Sequence, residues 1–179
     1  MKTVLFVLRL ALTLLAITAV VAVALAGVNM ITAPAIAELN AQNTQAAIQA
    51  VLPGGGEELA DFPAVNLVSK VYASDAGYAV QVTPGGFDNT ITMMVGVDKA
   101  GNVLGIDVIS HTETAGLGAV SDADTHAGIA FREQFKGASG SVSVTKDGGQ
   151  MDAITGATIT SRAVCAGVNA ALECVAQMG

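Results

Sequence analysis

Hydrophobic and polar positions divide the chain into stretches of different character. From Leu10 to Val28 the sequence LALTLLAITAVVAVALAGV is apolar, broken only by two threonines and a glycine. As a helix it is about 28 Å long at roughly 1.5 Å per residue, close to a hydrocarbon core of about 30 Å. Residues 35–52 change character. Ala, Gln and Glu dominate, and the apolar stripe of Ile36, Leu39, Ala46, Ala50 and Val51 is weak. Pro34 suits a first helical position, and Pro53-Gly54-Gly55-Gly56 ends the segment. Two readings fit equally: a stalk raising a domain from a bilayer, or a first helix packed on that domain.

Strand-like runs follow. Residues 65–72 and 78–83 alternate or run apolar between Gly, Asp and Pro breakers. Residues 90–97 and 103–110 flank Asp98-Lys99-Ala100-Gly101-Asn102, whose glycine supplies positive φ for a hairpin. AGIAFREQF (127–135) predicts a short helix and residues 142–145 a further strand. Val164, Val168, Leu172 and Val175 recur at core-facing helical spacing, with Ser161 as the expected cap. The fold predicted is α+β: a twisted, half-barrel-like antiparallel sheet with packed helices, preceded by one N-terminal transmembrane helix.

Charge orients that scheme. Residues 1–26 contain no Asp or Glu, and their only charges are Lys2 and Arg9. The excess of positive charge on the N-terminal flank predicts a cytoplasmic segment at 1–9 and an anchor at 10–28. A stalk helix or linker then covers 29–56, and the exported domain 57–179. The expected location is the inner (cytoplasmic) membrane, single-pass, with the domain on the outer or periplasmic side. The alternative is a cleaved signal peptide, because Ala24-Leu25-Ala26 fits an A-x-A site; the apolar run exceeds the usual h-region of about 7–15 residues. All 15 acidic residues follow the anchor, and overall net charge is −7. With no basic stripe or aromatic-basic interleaving, this excludes a nucleic-acid partner. Cys165 and Cys174 lie about 13.5 Å apart along one predicted helix, too far to bridge. Buried structural thiols are expected, with a contact in the membrane layer or to a partner as the alternative. No CxxC pair or Cys/His cluster of metal-ligand spacing occurs.

The stretch DAITGATITS (152–161) crowds four hydroxyls around Gly156-Ala157. Gly156 permits a tight turn and Ala157 leaves room for a close neighbour. Thr158 and Thr160 are expected on exposed backbone at a helix N-terminus, where free N–H groups favour an anion, with Arg162 adding charge. This suits a phosphate. An ST-type turn plus N-cap is the purely structural alternative. No hydroxyl has a His or Lys partner recognisable in the sequence, which counts against an autonomous hydrolase. His111 and His126 carry no metal pattern. Tyr72, Tyr78, Phe87, Met93 and Met94 read as core residues before ligands.

DAITGATITSRAV resembles the flavinylation motif of the FMN-binding domain family, D-x-x-[ST]-G-A-T-x-[ST]. HTETAGLG (111–118) is similar to that family's E-T-P-G-L-G loop, with Ala115 in place of the usual proline. Lys146-Asp147-Gly148-Gly149 matches a turn common in the G subunits of Rnf-type electron-transport complexes, as does the order of hairpin, loop and attachment motif.

The resemblance implies covalent FMN, esterified through its phosphate to Thr158 by a separate flavin transferase. Asp152 would belong to the recognition signal, and Thr155, Gly156, Ala157 and Thr160 would form the attachment turn. Glu113, Thr114, Gly116, Leu117 and Gly118 would lie against the flavin, with Lys146 nearby. The implied role is a membrane-anchored electron carrier, with other subunits of a membrane complex as partners. In such a complex, ferredoxin oxidation and NAD reduction drive Na⁺ or H⁺ movement. The C subunit of a sodium-pumping NADH:quinone reductase, or a stand-alone exported flavoprotein, is the nearest alternative. An unmodified exported scaffold or binding domain is the alternative from another class.

Overall fold

Helix α1 runs from Lys2 to Val51 in a computed structural model that describes residues 2–178. Met1 and Gly179, which begin the expected cytoplasmic segment and end the expected exported domain, lie outside the described residues, as do the side chains of Lys2 and Thr3. The residues form two compact units, Met1–Gln42 and Asn43–Gly179. The described residues of the first are all helical. Its large apolar side chains, from Val4 to Leu39, are exposed, and the helix is long and apolar enough to cross a membrane. The helix start expected at Pro34 is absent: Pro34 lies inside α1. A proline costs one i→i−4 bond, which a helix with continuous turns on both sides can absorb.

In the second unit, the described residues form an open antiparallel sheet in the order β1-β2-β3-β4-β5. The strands are Glu57–Glu58, Val68–Ser74, Gly77–Val82, Thr92–Asp98 and Val103–Ser110. Sheet and helices together make the α+β class anticipated from sequence. Strand β2 begins later than its apolar run because Leu67 adopts φ 72°, a left-handed conformation that breaks extension. The β4–β5 hairpin turns where expected. Asp98 Oδ1 accepts from the N–H groups of Ala100 and Asn102 at 2.9 and 2.8 Å, and these bonds with the Asn102 side chain lower the Asp98 pKa.

Both sheet faces are covered. On one, Val80, Val82, Met93, Val95 and Val97 pack with Val164, Val168, Leu172 and Val175 of α3 (Thr158–Ala176) and with Phe131 of α2 (His126–Glu133) and Phe135 just beyond it. On the other, Tyr72, Ala79 and Met94 meet Ala47, Ile48, Val51 and Leu52 from the end of α1 and the residue after it. Met93 and Met94 are therefore both fully buried, on opposite faces, which explains the unbroken apolar run of β4. Cys165 and Cys174 are free and buried, and burial pushes the Cys165 thiol up to about 11.

Residues 142–145 do not make a strand. Val144 bridges Met151 alone, and a 3-10 turn follows at Thr145–Asp147. The Asn169 side chain takes the place of a neighbouring strand: its Oδ1 accepts from Val142 N at 2.8 Å and its Nδ2 donates to Val142 O at 2.9 Å.

Burial separates two isoleucines of α1, Ile48 at 1% exposure and Ile36 at 53%. Ile48→Ala should cost about 2–5 kcal/mol, the usual range for emptying a packed aliphatic site. Ile36→Ala should be nearly neutral. Thermal unfolding of the detergent-solubilised chain checks both.

Candidate functional site

Helix α3 starts at Thr158, three residues before the expected cap. Gly156 at φ 77° turns the chain, and Ala157 occupies the N-cap position with no side-chain bond to the first turn. Ser161 instead closes the turn from within. Its Oγ accepts from Ile154 N and donates to Ala157 O, both at 3.0 Å. A preferred cap residue is misleading here because a tight turn stapled by its own serine can open a helix earlier. The result is a helix N-terminus whose free N–H groups lack a capping side chain.

The hydroxyls of the motif meet different fates. Thr160 is 1% exposed and donates to Glu113 Oε2 in a very short hydrogen bond. Its side chain is thus not on the exposed surface expected for it. Ser161 is fully buried. Thr155 is exposed on the turn. Thr158, half-buried, lies at the helix start, and its Oγ1 accepts from Lys146 Nζ at 3.0 Å. No local pattern signals that partner, because twelve residues and a turn separate the two. An ammonium that donates to the hydroxyl is an electrostatic partner and not a base.

Arg162, expected to add positive charge, is already engaged. Its Nε and Nη2 donate to the two Asp147 carboxylate oxygens, each at 2.7 Å. Hydrogen bonding to Arg162 holds the Asp147 carboxyl below its ordinary value and raises the guanidinium. This fork fastens the turn bearing Lys146 onto the first turns of α3. The cation left facing Thr158 is Lys146.

Beside Thr158 lies a cleft of about 220 Å³ lined by Phe87, Glu113, Thr114, Leu117, Gly118 and residues 156–160. This is below the roughly 300–1,000 Å³ of clefts that enclose whole ligands. Glu113, Thr114, Leu117, Gly118, Gly156, Ala157, Thr158 and Thr160 thus come together around one cleft. Gly116, Asp152 and Thr155 line a second cavity of about 430 Å³ next to it. Asp152 is exposed, and its backbone is held by Gln134, which accepts from Asp152 N at 2.7 Å and donates to Asp152 O at 3.0 Å.

Glu113 is buried, at 7% exposure. Its Oε1 accepts from Phe87 N at 2.8 Å and Asp88 N at 3.3 Å, and Oε2 accepts from Thr160. His111 supports it, with Nδ1 accepting from Glu113 N at 3.1 Å. His126 is exposed at the start of α2. Sequence reasoning missed Ile159 and Gln134, and weighed Phe87 as a ring-stacking residue only to set it aside as core. Phe87, expected in the core, is 66% exposed at the cleft. The Gly85-Gly86 pair before it is the available signal that it sits on a loop.

A family model described as FMN-binding domain matches residues 86–173, which include the cleft walls, Lys146 and the motif. The G subunit of a Na⁺-translocating ferredoxin:NAD⁺ oxidoreductase complex of Acetobacterium woodii is 34% identical over 194 residues, covering 93% of this chain and 90% of the relative. The G subunit of an ion-translocating oxidoreductase complex of Stutzerimonas stutzeri is 34% identical, covering 91% and 78%. The G subunit of a proton-translocating ferredoxin:NAD⁺ oxidoreductase complex of Clostridium ljungdahlii is 35% identical, covering 83% and 80%.

The Asp147–Arg162 fork makes a pH prediction. A depressed folded-state pKa contributes stability above the ordinary Asp value of 3.8, which is lost as pH falls through the lower folded value. The Asp147 carboxyl should titrate below 3.8 by NMR, and Arg162→Gln should return it to the ordinary range.

Proposed function

The chain belongs to the FMN-binding domain family, and we propose that it is a membrane-anchored electron carrier with FMN esterified to Thr158. One observation carries the reading. Of the motif's hydroxyls, Thr158 alone combines access from the cleft, a position at an uncapped helix N-terminus and a cation at 3.0 Å. Thr160 and Ser161 are buried and internally bonded, and Thr155 faces the neighbouring cavity.

The attachment is a phosphoryl transfer catalysed by a separate flavin transferase. Thr158 Oγ1 would accept the FMN-side phosphoryl group of FAD, with the pyrophosphate P–O bond breaking and AMP leaving with the bridging oxygen. The hydroxyl proton passes to a base on the transferase. Lys146 and the free N–H groups of α3 stabilise the phosphate charge, so the phosphodiester supplies the anion that Ala157 does not. Gly156 and Ala157 keep the turn narrow enough for the ester to reach the cleft. Exposed Asp152, its backbone fixed by Gln134, is assigned to the transferase recognition signal.

When bound, FMN supplies one- and two-electron redox chemistry, and the protein supplies placement and charge. Covalent tethering suits an exported carrier, because a diffusible flavin would be diluted away while a tethered one stays at high effective concentration. Thr114, Leu117 and Gly118 give the ring its pocket, with Gly116 shaping the loop.

Residues 10–28 form the span, 1–9 face the cytoplasm, 29–56 connect, and 57–179 are exported to the outer face of the inner membrane. The partners are other subunits of a complex coupling ferredoxin and NAD⁺ to Na⁺ or H⁺ movement. Both ions occur in the names of the relatives above. The span carries no acidic residue, so the ion path is assigned to other subunits.

Co-expressed with a flavin transferase, the denatured chain should fluoresce under ultraviolet light and carry the mass of one FMN phosphoester. Thr158→Val should abolish both; fluorescence retained in that variant disproves the assignment. Lys146→Met should slow attachment about tenfold, the equivalent of losing one charge-assisted hydrogen bond. Lys146→Arg should recover part of the rate in a timed transfer assay.

A further inference from the structure

Four large hydrophobic residues beyond α1 are exposed among the described residues: Phe87, Leu117, Ile129 and Ile159. Three of them, Phe87, Leu117 and Ile159, line the cleft beside Thr158. They come from three separate elements: the loop after β3, the loop after β5 and the first turn of α3. Isolated exposed apolar residues need no explanation, but convergence on one cavity does.

The Phe87 loop is not loose. Gly86 N donates to Asn89 O at 2.7 Å and Ile91 N to Pro84 O at 2.9 Å, which closes it into a small hairpin. Glu113 Oε1 then holds the N–H groups of Phe87 and Asp88, while Oε2 receives the Thr160 hydroxyl. The carboxylate thereby ties the loop to the first turn of α3. Space for it is reserved by Gly86 and Gly118, where a Cβ would strike its oxygens. A secured loop that holds an aromatic ring in solvent at the mouth of a cavity is built for an apolar occupant.

We propose that Phe87, Leu117 and Ile159 form an apolar clamp on the flat ring of the tethered flavin, with Glu113 as the residue that positions Phe87. The proposal rests on the covalent-FMN reading. It adds Phe87 and Ile159 to the site and gives Glu113 a mechanical task. Phe87 offers an aromatic face, which favours offset stacking on a planar heteroaromatic system. The tether supplies retention, so the clamp governs how still the ring is held.

The test uses the flavinylated full-length chain in detergent, with ring emission and steady-state anisotropy measured per attached flavin. Phe87→Ala should lower anisotropy towards that of the unfolded protein. Phe87→Trp gives a second arm, because the chain has no other tryptophan and an indole stacked on a flavin quenches it. Emission should fall below that of the parent. Glu113→Ala should behave as Phe87→Ala does. Glu113→Gln should restore the parent values, since an amide can accept from Phe87 N and Asp88 N and donate to the Thr160 hydroxyl. Parent-like emission and anisotropy in both Phe87 variants overturn the clamp. A parent chain without the flavin mass overturns the tether itself, a distinct failure seen before any ring measurement.

Discussion

A carboxyl group removed from water must find donors in the protein, or its burial costs several kcal/mol. Glu113 solves this by gathering three donors from two distant segments, and the site depends on that solution. Two are backbone N–H groups of a loop between strands, and the third is a hydroxyl in the first turn of the closing helix. Satisfying one acidic side chain therefore fixes two walls of the cleft relative to each other. The same bond removes Thr160 from the surface, leaving Thr158 as the cation-contacted hydroxyl at the helix start.

A second constraint acts from the opposite side of that helix start. The bidentate Asp147–Arg162 pair is exposed, so its stability contribution is small, but its fork geometry is specific. It holds the Lys146 turn against α3 and uses up the arginine charge locally. One cation is occupied so that another is placed. In the proposed reading, the helix N-terminus and Lys146 share the work of holding a phosphate, while the apolar cleft meets the ring. Polar and apolar halves of one cofactor would thus be met by different structural devices.

The segment between α2 and α3 shows why some of this was invisible in sequence. Residues 138–157 carry little regular structure, yet Gln134 and Asn169 each pair with both the N–H and the C=O of one residue, Asp152 and Val142. Side-chain amides substitute for the neighbouring strand that the apolar residues 142–145 suggested. No local pattern distinguishes a backbone paired with a strand from one paired with a distant amide. Leu67 is a similar case, since a positive φ at a leucine comes from tertiary packing and not from local preference.

The sequence by itself determined the long apolar helix, the β4–β5 hairpin with its Asp98 and Gly101 turn, the core face of α3 and the α+β class. Each follows from local periodicity or turn chemistry, which act over a few residues. The small residues and hydroxyls of 152–161 also marked a turn before a helix, a pattern that fits either a phosphate site or a purely structural ST-type turn. Only the tertiary structure decided which hydroxyl meets a cation, that Arg162 is spoken for, that Glu113 is a buried tie and that Phe87 stands at the cleft. Those outcomes depend on contacts across 12 to 47 residues of chain. Such contacts exist only once burial of both sheet faces has brought the loops to one end of α3.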